Sequence, residues 1–434
     1  MNFINFKLLT FVCLVILGTV VANPVNANEV TLSFKKLYDS FLKNNLELKA
    51  EKEKLDSVEL EYKIAVGQFF PTLELKSIYD ETFAHNNEAS NSKEFFTGLV
   101  LTQDLFNGFD HKNKLNIAKI NLRNQKLSYE KALLDKSIEL KKIVATVYYY
   151  QNLIKLLNDV IKSREDNVQI VDWRYSGGHE HKGSLLVAKA YQESSKLDLL
   201  NAENALRLEW RRLKNFIGDE SLDTKVLIED IYPHNSKLNS EKAYSEKWDF
   251  DLVTRQSLQS QINDLEVQKS NLEYKNAKAS FLPTVTFKAT EGITGPRFMG
   301  GAHDLAIQLK VTFPLFNGGR DYYGEKSLND VRRSKIFNRD ALFKKLVIDL
   351  EDAYFKYLNQ IQYEKVQKSF VDAYKVTATI EKERYNNGLN DFSDWDSSEN
   401  SYIDARKNLL EARYLLMVAY LDLEKLRGTS EKME

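Results

Sequence analysis

The sequence has few residues that break helices and almost none that form covalent cross-links. Its 434 residues include 6 prolines, 17 glycines and a single cysteine. So few helix breakers favour long helices, and one cysteine excludes an intrachain disulfide and a zinc site built from several thiolates. Neither sign of charge is in excess, because 61 basic residues stand against 62 acidic ones. This balance gives no reason to expect a basic surface for nucleic acid.

The first 27 residues are predicted to be a secretory signal peptide. Lys7 supplies the positive charge, and the apolar run after it is short for a membrane helix. Residues 25–27 fit a small-residue cleavage site, which predicts a mature start at Asn28. Cys13 lies within this segment, so the mature chain is expected to have no thiol. An uncleaved N-terminal anchor is the alternative, and no later run reaches the length of a membrane helix.

An internal repeat organises the rest of the chain. The landmarks recur in one order at a nearly constant separation, as Gly428 following Gly218 by 210 residues shows. The other recurring landmarks are Phe69-Phe70-Pro71-Thr72 with Phe281-Leu282-Pro283-Thr284, Leu105-Phe106-Asn107-Gly108 with Leu315-Phe316-Asn317-Gly318, and Arg174-Tyr175 with Arg384-Tyr385. Such self-similarity predicts a tandem duplication. The predicted parts are a first repeat at 28–218, a connection at 219–240, a second repeat at 241–428 and a tail at 429–434.

Each repeat is predicted to contain a helix, two strands, a very long helix and a returning helix. The predicted spans are 31–70, 72–84, 95–106, 111–176 and 184–218 in the first repeat, and 241–282, 284–292, 303–316, 320–387 and 394–428 in the second. Apolar residues at 3/4 spacing on the long helices require neighbouring helices to cover them. A soluble coiled coil would show the same helical pattern.

The strand-like runs distinguish a chain with membrane-spanning strands from a soluble coiled coil. Leu305, Ile307 and Leu309 alternate with polar or small residues, as they do on a strand with one apolar face. Each run has about the ten residues that a tilted transmembrane strand needs. Four strands cannot close a barrel, and an open sheet edge in lipid leaves backbone groups unpaired. Strands in a membrane would therefore have to be completed by other copies of the chain.

The landmarks resemble those of the TolC family of outer-membrane efflux and secretion channels. The most specific matches are Phe281-Leu282-Pro283-Thr284, the run from Pro314 to Arg320 and the run from Arg384 to Gly388. The resemblance implies a mainly α fold with a small membrane β-barrel portion. It implies a homotrimer whose protomers share a twelve-stranded outer-membrane barrel and an α-barrel crossing the periplasm. The implied function is a passive exit duct of a tripartite efflux or type I secretion system, with a periplasmic adaptor and an inner-membrane RND or ABC transporter.

The resemblance also suggests residues for a periplasmic gate. Tyr385 matches the family's gate tyrosine, and Asp394 matches the first of two pore-lining aspartates. Asn390 and Ser397 stand where the best-known member has an arginine and the second aspartate, so Asp391 and Asp396 are candidates to supply the charge instead. Three copies of an aspartate around a narrow axis would attract cations. Capping of the returning helix is the alternative role for these three aspartates.

The tips of the long helices are expected to contact the adaptor. The predicted contact residues are Gly178, Gly388, Leu389 and Asn390. His179-Glu180-His181 invites a metal interpretation, but the spacing is not that of a zinc motif, and an adaptor-contacting or solvated loop is the preferred interpretation. Trp395 is expected to pack between helices rather than to touch substrate.

Two other classes of function compete with the duct. A soluble periplasmic adaptor or scaffold would have one helical hairpin between compact β domains, whereas this chain has two equivalent halves with paired strands. An enzyme would need a site, and the sequence has no phosphate-binding glycine loop, nucleophile elbow or zinc signature. We therefore expect no catalysis, no cofactor and no metal. The expected partners are proteins and outer-membrane lipid, without nucleic acid.

Overall fold

Two long helical hairpins are joined at one end to a small antiparallel sheet. The computed structural model describes residues 31–82, 92–222, 227–228 and 248–428. The predicted signal peptide, its cleavage site, most of the 219–240 connection and the 429–434 tail lie outside these residues. The helices are α1 (Phe34–Asn44), α2 (Leu46–Gly67), α3 (Asp110–Ser176), α4 (Lys182–Ile217), α5 (Phe250–Gln256), α6 (Leu258–Ala277), α7 (Arg320–Asn386) and α8 (Phe392–Arg427). The strands are β1 (Thr31–Leu32), β2 (Thr72–Thr82), β3 (Ser92–Asn107), β4 (Leu227–Ile228), β5 (Thr284–Arg297) and β6 (Gly300–Thr312).

The helices α3 and α7 set the length of the molecule. Each has 67 residues, which corresponds to about 100 Å. Gly178 and Gly388 lie in the two turns after these helices with φ of 73° each, and α4 and α8 then return antiparallel. None of the described helices is apolar enough over a sufficient length to cross a membrane. The mostly helical fold with a small sheet, in two repeats, confirms the predicted fold class at this level.

The apolar stripes of the long helices are buried in two equivalent cores. In the first repeat Val144 and Val147 of α3 pack with Leu213 of α4. In the second repeat Tyr354 and Tyr357 of α7 pack with Leu423 of α8. The two sets lie at the same positions of the duplicated sequence. The repeat is therefore a repeat of packing as well as of sequence.

The predicted helices 31–70 and 241–282 are wrong near their starts, because residues 31–32 form β1 and each helix is broken at one point. Residues 241–247 of the second prediction lie outside the described residues. The first break lies at Asn45, between α1 and α2, and the second at Ser257, between α5 and α6. The C-terminal end of α4 lies against the first break, and the C-terminal end of α8 lies against the second. A side chain on Gly218 would approach the Asn44 carbonyl oxygen to 2.8 Å, and one on Gly428 would approach the Leu258 nitrogen to 3.3 Å. The breaks make room for these helix ends, which sequence periodicity does not reveal.

Asn45 stabilises the first break through two side-chain hydrogen bonds. Its side chain is 4% exposed, accepts a hydrogen bond from the Leu48 N–H at 2.9 Å and donates one to the Phe216 carbonyl at 2.6 Å. We expect Asn45→Ala to reduce stability by about 1–3 kcal/mol, since the α2 cap is lost and a buried carbonyl loses its donor. Thermal unfolding of the purified protein in detergent measures this loss. The control Asn44→Ala removes only a hydrogen bond to Ser40 within α1, so it should reduce stability less than Asn45→Ala does.

The four long strands form one antiparallel sheet with two different faces. Their order is β2-β3-β5-β6, so β2 and β6 are the edges. Directly paired residues share a face. One face is largely apolar: Leu73, Leu75, Leu99, Leu101, Val285, Phe287, Ala289, Leu305, Ile307, Leu309 and Val311. The opposite face is largely polar: Glu74, Lys76, Asp104, Thr286, Lys288, Thr290, Gln308 and Lys310.

The strands of the second repeat differ from the predicted spans 284–292 and 303–316. The strand β5 continues to Arg297 and β6 begins at Gly300, because the glycines here lie within the sheet rather than in a loop. A side chain on Gly301 would meet the Thr294 carbonyl oxygen at 2.0 Å, so this glycine permits close strand pairing. The strand β6 ends at Thr312, two residues before Pro314, which has no N–H to donate to a ladder. In the first repeat, β3 begins at Ser92.

Candidate functional site

The two tip turns lie at the end of the molecule opposite the sheet. Leu389 is 67% exposed at the second turn, beside Gly388. Asn390 is held, because its side-chain NH₂ donates to the Glu381 carboxylate at 2.6 Å and to the Glu381 carbonyl at 3.2 Å. Asn390, which stands where the best-known member of the TolC family has an arginine, therefore stabilises its own turn. Gly178 occupies the equivalent place in the first turn and is exposed.

Three side chains from both hairpins are stacked just inside the tip. The Tyr385 ring lies 4.7 Å from the Trp395 ring at an interplanar angle of 27°. The guanidinium carbon of Arg174 lies 4.5 Å from the centre of the Tyr385 ring, and its Nη1 donates to the Tyr385 carbonyl. We call Arg174, Tyr385 and Trp395 the tip stack. It joins α3 of the first repeat to α7 and α8 of the second, and Tyr385 is 0% exposed within it.

The hydroxyl of Tyr385 is also partnered. It donates a hydrogen bond to the Glu180 carboxylate at 2.8 Å. Burial, and then the bond to Glu180, raise the pKa of Tyr385 well above its ordinary value, so the phenol remains protonated as a donor. Burial acts to raise the pKa of Glu180, but hydrogen bonds from Tyr385, the His181 N–H and Ser184 lower it overall. Glu180 is therefore a charged acceptor that ties the first turn to the second hairpin.

The three candidate gate aspartates have different environments. Asp391 and Asp394 are exposed at the start of α8. Asp391 occupies the N-cap position, yet its side chain makes no capping hydrogen bond. The side chain of Asp396 is 13% exposed, and Arg164 on α3 lies 3.2 Å from its Oδ1. Burial raises the pKa of Asp396, although Arg164 opposes this shift. Asp396 thus lies between α3 and α8 of one chain. It does not lie on an exposed surface, where a pore-lining residue would be.

The His179-Glu180-His181 run is occupied by local contacts. The His181 ring accepts a hydrogen bond from the Ser184 N–H at 3.2 Å and so caps α4. Glu180 accepts from the Ser184 hydroxyl at 2.9 Å and from Tyr385. Within the described ranges, no three His, Cys, Asp or Glu side chains converge as metal ligands. These contacts favour a structural role for the run.

Sequence reasoning did not single out Arg174 or Glu180 as partners of Tyr385. A signal for Arg174 was present, because Arg174-Tyr175 and Arg384-Tyr385 are one of the repeated landmarks. The repeat could not show that Arg174 lies on the ring of Tyr385, since that contact joins two different halves of the chain. Trp395 packs between helices as expected, being 1% exposed.

Comparison with known families decides what kind of protein carries this geometry. The family model described as outer membrane efflux protein matches residues 37–219 and 252–429. These two stretches cover most of the chain and correspond to its two repeats. The chain belongs to the outer membrane efflux protein family. None of the curated proteins matches its sequence significantly.

Solved structures show the same fold as this efflux protein. VceC, an outer membrane protein of Vibrio cholerae, is 18% identical, with 91% of this chain and 95% of that chain covered and a TM-score of 0.79. The outer membrane channel CmeC of Campylobacter jejuni is 17% identical, with 91% and 85% covered and a TM-score of 0.77. The open state of the outer membrane channel MtrE of Neisseria gonorrhoeae is 17% identical, with 91% and 88% covered and a TM-score of 0.75.

Family membership confirms several of the predictions. The protein is an efflux channel component of the outer membrane that extends into the periplasm, and it is not an enzyme. The soluble adaptor or scaffold, kept as the alternative, is not supported, because the matching family is one of outer membrane proteins.

Proposed function

We propose that three copies of this efflux protein form a passive exit duct through the outer membrane. The observation that carries this proposal is the sheet. Ile307 and Leu309 on its apolar face are 68% and 62% exposed in the single chain, and the outer edges of β2 and β6 pair with no other strand among the described residues. Lipid would cover the apolar face, and edge pairing between copies would satisfy the backbone groups of β2 and β6. Three sheets of four strands then form one twelve-stranded barrel whose polar face lines the lumen.

The helices support the same assembly. Where α3 of the first hairpin meets α7 and α8 of the second, Tyr385 is buried and Arg174 is half-buried against it. Their repeat counterparts, Tyr175 and Arg384, are exposed at the outer sides of the two hairpins. Exposed apolar side chains continue along those sides: Leu186, Leu197, Leu200 and Leu208 on α4, and Val366, Phe370, Tyr374 and Ile380 on α7. A contact between α4 of one copy and α7 of the next covers both sets and closes into a ring.

The proposed partners follow from the same geometry. The duct is one part of a tripartite efflux or type I secretion system. A periplasmic adaptor contacts the tip at Gly178, Gly388, Leu389 and Asn390, and an inner-membrane RND or ABC transporter supplies the energy. Exposed Leu389 offers an apolar contact, and the held turn at Asn390 presents it in one conformation. The duct itself needs no energy source and no cofactor.

Mass and conductance test the proposed function together. The mature protein purified in detergent is expected to have the mass of a trimer and to give conductance steps in a planar bilayer. The four strands of one copy cannot form a lumen, so conductance requires assembly. A water-soluble monomer without conductance would contradict the duct.

Asp394 is proposed to form an acidic constriction near the tip, with Asp391 beside it. We expect Asp394→Asn to weaken block of the channel by divalent cations by about tenfold or more, since each 1.4 kcal/mol of lost attraction is tenfold in affinity and three charges are removed. Conductance titrated with Mg²⁺ or Ca²⁺ measures the change. The control Asp404→Asn removes an exposed carboxylate farther along α8 and should alter block less. Unchanged block in Asp394→Asn would remove this residue from the constriction.

A further inference from the structure

Two ion pairs join the hairpins of one chain about half-way along α3. The Lys142 Nζ lies 2.5 Å from the Asp422 Oδ1, and the Lys141 Nζ lies 3.3 Å from the Glu424 Oε2. We call them the intrachain pairs. In both of them the first repeat supplies the cation from α3, and the second repeat supplies the carboxylate from α8.

The helices of the two repeats correspond residue by residue. Helices α3 and α7 both have 67 residues, α4 and α8 both have 36, and each helix of the second repeat begins 210 residues after its counterpart. The four positions equivalent to the intrachain pairs all carry the opposite charge: Glu351 for Lys141, Asp352 for Lys142, Arg212 for Asp422 and Lys214 for Glu424. These four residues lie on α7 and α4, the helices that the proposed assembly brings together between copies.

The reversal of both members of each pair favours a second ionic contact. If only one member had changed sign, two like charges would face each other, which is unfavourable. Charge is not a general property of these surfaces, because the ion pair of Arg164 with Asp396 has the uncharged counterparts Tyr374 and Leu186. The two pairs half-way along the long helices are thus retained with inverted sign.

The outer two of these charges are open to a second chain. The side chains of Arg212 and Asp352 are 62% and 58% exposed. Each pairs only with a residue of its own helix in these contacts, Arg212 with Glu209 at 2.9 Å and Asp352 with Lys356 at 2.6 Å. Exposed pairs one turn apart on a helix contribute little to stability, so both side chains can bind a neighbouring copy without a large loss.

Basic side chains surround these positions. Three sites that form an apolar cluster within the chain are basic in the equivalent surfaces: Arg207 for Met417, Arg211 for Leu421 and Lys344 for Leu134. Glu351 is half-buried on α7 beside Asp352, and Lys214 is half-buried on α4. The two carboxylates therefore lie where they offset an excess of positive charge between α4 of one copy and α7 of the next.

We propose that Arg212 and Lys214 of one copy bind Asp352 and Glu351 of the next copy, and so select the second repeat of a neighbouring chain as the partner of the first. At these positions the first repeat is basic on both of its sides, and the second repeat is acidic on both. A contact between two first repeats, or between two second repeats, would bring like charges together. The ring therefore closes with the repeats in alternation. The proposal rests on the proposed duct of three copies.

Charge reversal tests this pairing. Arg212→Glu with Lys214→Glu places carboxylates opposite carboxylates, and Glu351→Lys with Asp352→Lys places cations opposite cations. We expect each double variant to lower the fraction of protein recovered as a trimer in detergent several-fold. The variant with all four charges reversed should recover most of the trimer, because opposite charges face each other again. Far-UV circular dichroism shows whether each variant keeps its helices.

Two exposed lysines of α3 provide a matched control. Lys155 and Lys162 lie on a helix that packs against α4 and α8 of its own chain. Lys155→Glu with Lys162→Glu reverses the same number of charges on the first repeat away from the contact between copies. The trimer fraction should stay near that of the unchanged protein, and a loss equal to that of Arg212→Glu with Lys214→Glu would overturn the pairing.

The remaining outcomes separate this pairing from the duct itself. Double variants that assemble as the unchanged trimer does would overturn the pairing. So would a fourfold variant that assembles no better than the double variants. If the unchanged protein is not a trimer, the proposed duct has failed, and that result is separate from either outcome.

Discussion

Trp395→Ala is expected to leave the tip leaky, with a several-fold rise in the resting conductance of the channel. Trp395 is 1% exposed and stacks on Tyr385, which also binds Arg174 and Glu180. Truncation of a buried tryptophan commonly costs about 3–5 kcal/mol, because packing is lost and a cavity remains. Trp395 shares a buried cluster with Val171 of α3 and Leu185 of α4, so the loss also weakens the contact between the two hairpins. Planar-bilayer conductance measures the effect, and the mass in detergent shows whether the assembly persists.

The chain offers a matched control for this change. Trp173 lies near the same tip on α3 but is 70% exposed. Trp173→Ala removes the same side chain without opening a cavity, so resting conductance should stay near that of the unchanged protein. Equal leakage from both variants would contradict the role of the tip stack and would show that any aromatic loss at the tip opens the channel. Tyr385→Phe should give a smaller effect than Trp395→Ala, since it removes only the bond to Glu180.

Ile307→Arg is expected to prevent stable insertion into the outer membrane. Ile307 lies on the apolar face of β6 and is 68% exposed in the single chain, where lipid would cover it. An arginine on the lipid face costs about 2–4 kcal/mol near the bilayer midplane, and an assembly of three copies carries that cost three times. Recovery of the protein in outer-membrane fractions, and of the trimer after detergent extraction, measures the loss.

The adjacent residue tests the assignment of the faces. Gln308 pairs with Lys288 on the polar face, so Gln308→Arg places the same charge toward the proposed lumen. This variant should insert normally and change only the ion preference of the channel. Insertion that fails equally in both variants would indicate general misfolding of β6. Normal insertion of both would contradict a lipid-facing side for this sheet.

Much of the architecture could be predicted from the sequence, because it depends on local periodicity and on repetition. The scarcity of proline and glycine predicted the long helices, and the landmarks around Pro71 and Pro283 predicted where helix gives way to strand. The helix breaks at Asn45 and Ser257 could not be predicted from local sequence, because they accompany contacts with Gly218 and Gly428, which lie far along the chain. The extent of β5 and β6 could not be predicted, because a glycine such as Gly295 or Gly301 favours a turn as readily as it permits close strand pairing.

The candidate site was less accessible to sequence reasoning. Motif position identified Tyr385 and the three aspartates, but all three aspartates fall within six residues and could not be distinguished by pattern. The structure separates them, because the helical twist of α8 exposes Asp394 and turns Asp396 toward Arg164. Arg174 and Glu180 became recognisable as partners of Tyr385 only in three dimensions.

The sequence by itself determined the duplication, the mainly helical fold and the alternation of the strands, since each depends on residues that are near one another or that recur at one separation. Only the tertiary structure decided which of two equivalent surfaces is buried within the chain. The repeats are similar in sequence, yet Tyr385 is enclosed while Tyr175 is exposed, and Arg164 meets Asp396 while Tyr374 and Leu186 remain uncovered. The physical reason is that a chain of two similar halves forms one contact between them internally and leaves the equivalent contact for another copy.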